Sequence, residues 1–142
     1  MVGELDPKPA RLFQMIEIVI EGRPPTLNSR RHWRAVAADN KAWKGTVTGE
    51  ARKAVGEWER RHGLRWRPLR LCALSVIFIV KDRRSRDWDN LISTVKPELD
   101  GLVEAGVILD DSSDVIQTVI FQIAYEKGVT ETRFVVRELD DD

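Results

Sequence analysis

Hydrophobic and polar positions along the chain switch between a period of two and a period near 3.6, and the switches predict its elements. Phe13 to Glu21 is rich in β-branched side chains (Ile16, Ile18, Val19, Ile20), with Glu17 and Glu21 placed as on an exposed edge or face, and reads as a first strand. Gly22-Arg23-Pro24-Pro25 ends it, because proline cannot donate to a ladder. Trp43, Val47, Ala51, Ala54, Val55 and Trp58 then recur at helical spacing and predict an amphipathic helix stopped by Gly63. Gly45, Gly49 and Gly56 weaken that helix by about 1 kcal/mol each relative to alanine, so packing must hold it, with Trp43 and Trp58 as core. Leu71 to Val80 is nearly continuously apolar, as a central strand covered on both faces should be. From Asn90, read as an N-cap, Leu91, Ile92, Val95, Leu99, Leu102 and Val103 keep a helical period to Ala105, with Gly106 as the stop. Pro97 divides this stretch into a turn over Leu91 to Val95 and a second helix. Val115 to Tyr125 and Thr132 to Leu139 are strands, joined through Glu126-Lys127-Gly128-Val129 as a hairpin.

The expected fold is therefore α/β (α+β): a single mixed β-sheet with two main helices packed on it, in the order β-α-β-α-β-β. With 142 residues the chain is long enough for one domain that buries about 70% of its unfolded surface. Residues 1–12, with Pro7 and Pro9, read as a flexible arm, 13–139 as the domain and 140–142 as an acidic tail. Met1-Val2-Gly3-Glu4-Leu5-Asp6 lacks a basic start followed by an apolar core, so no signal peptide is expected. The longest apolar run is half a membrane span, which points away from a membrane. Cys72 stands alone, excludes an internal disulfide and fits a reducing cytoplasm.

The formal net charge is zero, but the charges are sorted. Met1 to Ser29 holds 3 basic and 4 acidic residues, Arg30 to Arg86 holds 16 and 5, and Asp87 to Asp142 holds 4 and 14. The middle section thus carries 16 − 5 = +11 and the last 4 − 14 = −10, an asymmetry that suggests a polyanion partner for the basic part. Arg30, Arg31, Arg34, Lys81, Arg83, Arg84 and Arg86 are the candidate contacts for such a polyanion, nucleic acid among them. Trp33 and Trp66 lie among arginines, which suits nucleic acid and equally a tryptophan half-buried under arginine stems. His32 and His62 have no partner at metal-ligand spacing and receive no chemistry.

Between Arg83 and Ser112 the sequence gathers Asp87, Asp89, Asn90, Lys96, Asp100, Asp110 and Asp111. In an extended segment Asp87 and Asp89 leave the same side of the chain while Trp88 leaves the other. Asp110-Asp111-Ser112 returns after a helical excursion, which can bring two carboxylate clusters together. Carboxylates so placed repel unless a cation sits between them, and oxygen-only ligands favour Mg²⁺ or Mn²⁺ over zinc. The bland alternative is a pair of solvated turns, since Asp, Asn and Ser are ordinary turn residues.

Taken together, Arg86-Asp87-Trp88-Asp89-Asn90-Leu91, Lys96, Leu99-Asp100-Gly101-Leu102, Gly106 and Asp110-Asp111-Ser112 resemble the signature of RusA-type Holliday-junction resolvases of phages and prophages. Pro25-Thr26-Leu27-Asn28 resembles that family's N-terminal loop, and the match runs from Met15 to Leu139. The resemblance implies a homodimer that cleaves four-way DNA junctions with Mg²⁺, in recombination and repair. By motif position it implies Asp87, Asp89 and Asp111 as catalytic, metal-holding acids. Ser93 stands where the family's lysine usually does, four residues after Asp89. Counting back from Asp100 restores the lysine at Lys96 and implies a three-residue insertion after Asn90. Two helical turns would then keep Asp89 and Lys96 on one face, roughly 10 Å apart, while an i, i+4 ion pair of Lys96 with Asp100 is the structural alternative. Asp110 would point away from Asp111 in an extended segment, and Asp110, Asp100 and Asn90 are second-tier candidates.

The expected function is a structure-selective endodeoxyribonuclease that places paired symmetric nicks in a branched DNA, with no small-molecule cofactor and no membrane. A non-cutting branched-DNA-binding module on the same scaffold is the alternative. A haloacid-dehalogenase-type phosphatase also uses Asp-x-Asp but ranks lower, because that motif directly follows an apolar strand and continues with Thr or Val, not Asn90.

Overall fold

The computed structural model describes residues 13–25 and 33–140. Its elements are β1 (Met15–Glu21), α1 (Trp33–His62), β2 (Cys72–Val80), α2 (Trp88–Ile92), α3 (Val95–Glu104), β3 (Ile116–Tyr125) and β4 (Glu131–Glu138). They follow the order read from the sequence, with the second helical stretch divided, and form one mixed four-stranded sheet of order β1-β4-β2-β3. β4 runs antiparallel to β1 and β2, whereas β3 runs parallel to β2.

The expected hairpin between β3 and β4 does not form. The α2–α3 crossover delivers β3 parallel to β2, and β4 takes the opposite edge of β2. The link between them passes the end of β2, where the Glu126 N–H donates to the Val80 carbonyl at 3.0 Å. β2 is also not covered on both faces. Its burial alternates from Cys72 to Phe78, because α1 and α3 pack on one side and no described element covers the other.

The core lies on the helix side, where Ile16, Ile18 and Ile20 of β1, Leu74, Val76 and Phe78 of β2, and Phe134 and Val136 of β4 meet Trp43, Val47, Ala51 and Trp58 of α1. Trp43 and Trp58 of α1 are core, as expected. Trp66 is core too: it is buried, its indole N–H donates to the Val107 carbonyl at 3.1 Å, and its ring meets Trp58 edge-on. Trp33, at 68% exposure, is not. Among the described residues no helix is long and apolar enough to cross a membrane.

Pro97 is the third residue of α3, where its missing N–H removes no helical bond. It opens a helix instead of kinking one. One turn later Gly101 lets α3 approach α1 closely: a Cβ there would lie 2.9 Å from Val47 Cγ1 and 3.1 Å from the Lys44 carbonyl. Gly101→Ala is therefore expected to destabilise the protein by about 1–3 kcal/mol through overpacking, despite alanine's better helix propensity. Urea unfolding measures this, and an unchanged or higher midpoint contradicts it.

Candidate functional site

The chain returns to the start of α3 through two local devices. Ala105 caps α3 and Gly106 follows at φ +77°, with the Gly106 N–H on the Val103 carbonyl and the Val107 N–H on the Leu102 carbonyl, both 3.0 Å. This left-handed cap reverses the chain at a residue without a Cβ penalty. Val107 and Ile108 are then buried, and 107–109 pairs with Leu69: the Leu69 N–H donates to the Val107 carbonyl at 3.0 Å and the Leu109 N–H to the Leu69 carbonyl at 2.9 Å. The chain beyond emerges as Asp110-Asp111 beside Lys96.

Lys96 Nζ lies 2.6 Å from Asp111 Oδ2 and 3.0 Å from Asp100 Oδ1. The i, i+4 pair with Asp100 thus exists, and a carboxylate fifteen residues away joins it. Hydrogen bonds donated by Lys96 to Asp111 and then to Asp100 raise the Lys96 pKa above the ordinary lysine value, against a smaller opposing burial. The same Lys96 bond, opposed by burial, holds the Asp111 carboxyl below the usual carboxylate range. Both groups are charged at neutral pH. They line an open groove of about 350 Å³ with Asp100, Val103, Glu104, Asp110 and, from α1, Lys44, which pairs with Glu104 at 3.0 Å. Asp110 shares this groove with Asp111, contrary to the expectation that it points away, because the segment is a loop and not a strand.

Asp87 and Asp89 lie outside that lining. α2 begins at Trp88, so Asp87 holds the N-cap position with extended backbone while Asp89 is already in the first turn. The expected same-side arrangement of an extended pair is absent, and Asn90 is a helical residue and not the cap. Ser93 and Thr94 separate α2 from α3, so two continuous turns do not connect Asp89 to Lys96. Leu91, 2% exposed, anchors the short helix. The Asp87 and Asp89 side chains are exposed and form no ion pair among the described residues.

All the candidate ligands are carboxylates, the donor chemistry of a hard divalent cation. Among the described residues, however, no group of three or more His, Cys, Asp or Glu side chains lies close enough to hold a metal ion. The positive charge between Asp100 and Asp111 is supplied by Lys96.

Arg30 and Arg31, with the Thr26–Asn28 loop, fall outside the described residues. Arg34 is exposed in the first turn of α1, its guanidinium 5.2 Å from the Trp33 ring centre. Arg83 lies 4.3 Å from the Tyr125 ring centre, while Lys81, Arg84 and Arg86 line one cavity. Arg86 is largely committed to structure: its side chain is 9% exposed, pairs with Asp82 at 2.8 Å and donates to the Asp82 carbonyl at 2.9 Å.

The sequence reading missed Glu98, which is fully buried between α1 and α3. Trp43 Nε1 donates to Glu98 Oε2 at 3.0 Å, and Oε1 has no hydrogen-bond partner. Burial pushes this carboxyl up to about 8, partly offset by the Trp43 bond. The signal was present: Leu91, Val95, Glu98 and Leu102 fall on one stripe at spacings of four, three and four. Compared with known proteins, the sequence matches no family model and no curated protein.

Proposed function

We propose that this chain is a Mg²⁺-dependent endonuclease of the RusA type, acting on four-way or other branched DNA in cytoplasmic recombination and repair. The observation that supports it most is the junction of Lys96 with Asp111. A basic side chain from the start of α3 and an acid from the far end of the crossover meet in an open groove, as a site handling an anionic phosphate requires. Asp87, Asp89 and Asp111 are the carboxylates that would have to hold Mg²⁺ or Mn²⁺, although they do not stand together among the described residues; bound there, the ion would supply Lewis-acid polarisation of the scissile phosphate and a lowered pKa for water. Lys96 keeps Asp111 ionised and offers an ammonium to phosphate charge. The cationic loop from Lys81 to Arg86 binds the backbone.

A homodimer belongs to this proposal, since a four-way junction presents two strands to cut. Support comes from β3, an edge strand of ten residues with no charge, proline or glycine. Val119 and Ile120 on its two faces are 40% and 48% exposed. Proteins usually guard such edges with charge, as β1 does with Glu17 and Glu21.

One observation favours the non-cutting module instead: Lys96 already pairs with both Asp111 and Asp100, and the described acids form no metal cage. Asp89→Asn separates the two. In a nuclease it abolishes nicking while the junction still binds. Junction binding without nicks by the unmodified chain, in Mg²⁺ and in Mn²⁺, favours the module.

A further inference from the structure

Three stretches far apart in sequence converge beyond the end of β2. Arg23 follows β1, Lys81, Arg84 and Arg86 follow β2, and Thr130 precedes β4; with Val80 they line a cavity of about 180 Å³. Four of these six side chains are cations. The acid bonded to them is Asp82, whose Oδ1 lies 2.8 Å from Arg86 Nη1 and 3.2 Å from Arg84 Nε. The Arg84 backbone N–H, then the two guanidinium groups, hold Asp82 at about 2 against desolvation, so it stays an anion and is occupied by two arginines. Arg23 and Lys81 are exposed and have no carboxylate partner among the described residues. Four cations against one acid leave 4 − 1 = +3 around one small cavity.

Gathering like charges costs free energy unless an anion joins them. Phosphate, with oxygens on every side of its phosphorus, suits such a set: the cations come from two separate stretches of chain, and Thr130, from a third, also lines the cavity and carries a neutral hydroxyl donor. Arg86 serves as the strut of the loop, through its bonds to Asp82 and to the Arg84 carbonyl. Arg23, Lys81 and Arg84 remain to face a ligand.

We propose that this cavity is a phosphate subsite that seats one backbone phosphodiester of a nucleic acid. Arg23 is its key new contact, and the identity of its ligand rests on the nucleic-acid reading above. Arg86 directly precedes Asp87, so a phosphodiester held here tethers a DNA strand at the entry to the acidic segment. The sheet order creates the subsite, because Arg23 reaches it only through the pairing of β1 with β4 and the bond from the Gly22 N–H to the Thr130 carbonyl at 2.9 Å.

The test is binding of a labelled four-way junction in EDTA, where no cutting occurs, over a range of salt. Arg23→Ala and Lys81→Ala alter exposed side chains, and their melting temperatures verify folding. Each is expected to weaken binding several-fold at about 100 mM salt and to reduce the slope of log K against log salt by about one. Millimolar inorganic phosphate should raise the melting temperature of the unmodified protein more than that of Arg23→Ala. Unchanged junction affinity and slope in both variants overturn the subsite, and if phosphate still protects selectively, the cavity serves a free phosphate instead. Loss of all junction binding by the unmodified protein would instead sink the nucleic-acid reading itself.

Discussion

Asp111→Asn is expected to lower junction cleavage by on the order of 10²–10³-fold, the scale of removing one charge-stabilising group from a reacting phosphate or carbonyl, while junction affinity in EDTA is unchanged or higher. The amide is nearly isosteric, so the groove keeps its shape, but it cannot serve as an anionic ligand and gives Lys96 no counter-charge at 2.6 Å. Under the proposed function, removing a negative charge from the groove also relieves repulsion of the DNA backbone. Asp110→Asn, in the same groove but without the Lys96 contact, should lose less than about tenfold. Single-turnover cleavage with saturating protein separates the two effects. Cleavage by Asp111→Asn at the unmodified rate would remove Asp111 from the chemistry.

Lowering the pH from about 8 towards 4.5 should stabilise the fold through Glu98, the reverse of ordinary acid behaviour for a carboxylate. Its carboxyl ordinarily titrates at 4.5 and is pushed up to about 8 by burial. Between those values the folded state holds a proton that the unfolded chain releases. Stability from this group is therefore fully present below 4.5 and is lost as pH rises through about 8, at up to about 1.4 kcal/mol per pH unit. Other groups titrate in the same range, so the measurement is the difference between the unmodified protein and Glu98→Gln in urea unfolding from pH 5 to 8. The variant keeps an oxygen for Trp43 Nε1 and has no titrating proton, and its advantage should grow by on the order of 3 kcal/mol across that range. A difference that does not change with pH would mean that Glu98 is not held neutral by burial.

The element order was legible because each element carries its own period, from the β-branched run of β1 to the apolar stripe of α1. Strand pairing was not. Glu126-Lys127-Gly128-Val129 has hairpin composition, yet the neighbour of β4 is decided by where the crossover leaves β3, which no local turn encodes. At the site, the Lys96–Asp100 pair could be read from i, i+4 spacing. Asp111 joins it only because 107–109 pairs with Leu69, a contact across some forty residues of chain. Asp87 and Asp89 looked like a strand pair since Asp-x-Asp carries no sign of where a helix begins, and that start falls at Trp88. Arg23 gave no local signal at all. Its role depends on sheet order, whereas Glu98 was hidden in plain sequence among the many acids of the C-terminal half.

Mg²⁺ titrated against the unmodified protein on a labelled four-way junction, with a linear duplex of the same sequence and Asp89→Asn alongside, tests the proposed activity most directly. A resolvase gives paired symmetric nicks that rise with Mg²⁺ and are missing from the duplex and from the variant. Tight junction binding with no nick at any Mg²⁺ or Mn²⁺ concentration would contradict catalysis, and leave a branched-DNA-binding protein whose Lys96 permanently occupies its acids.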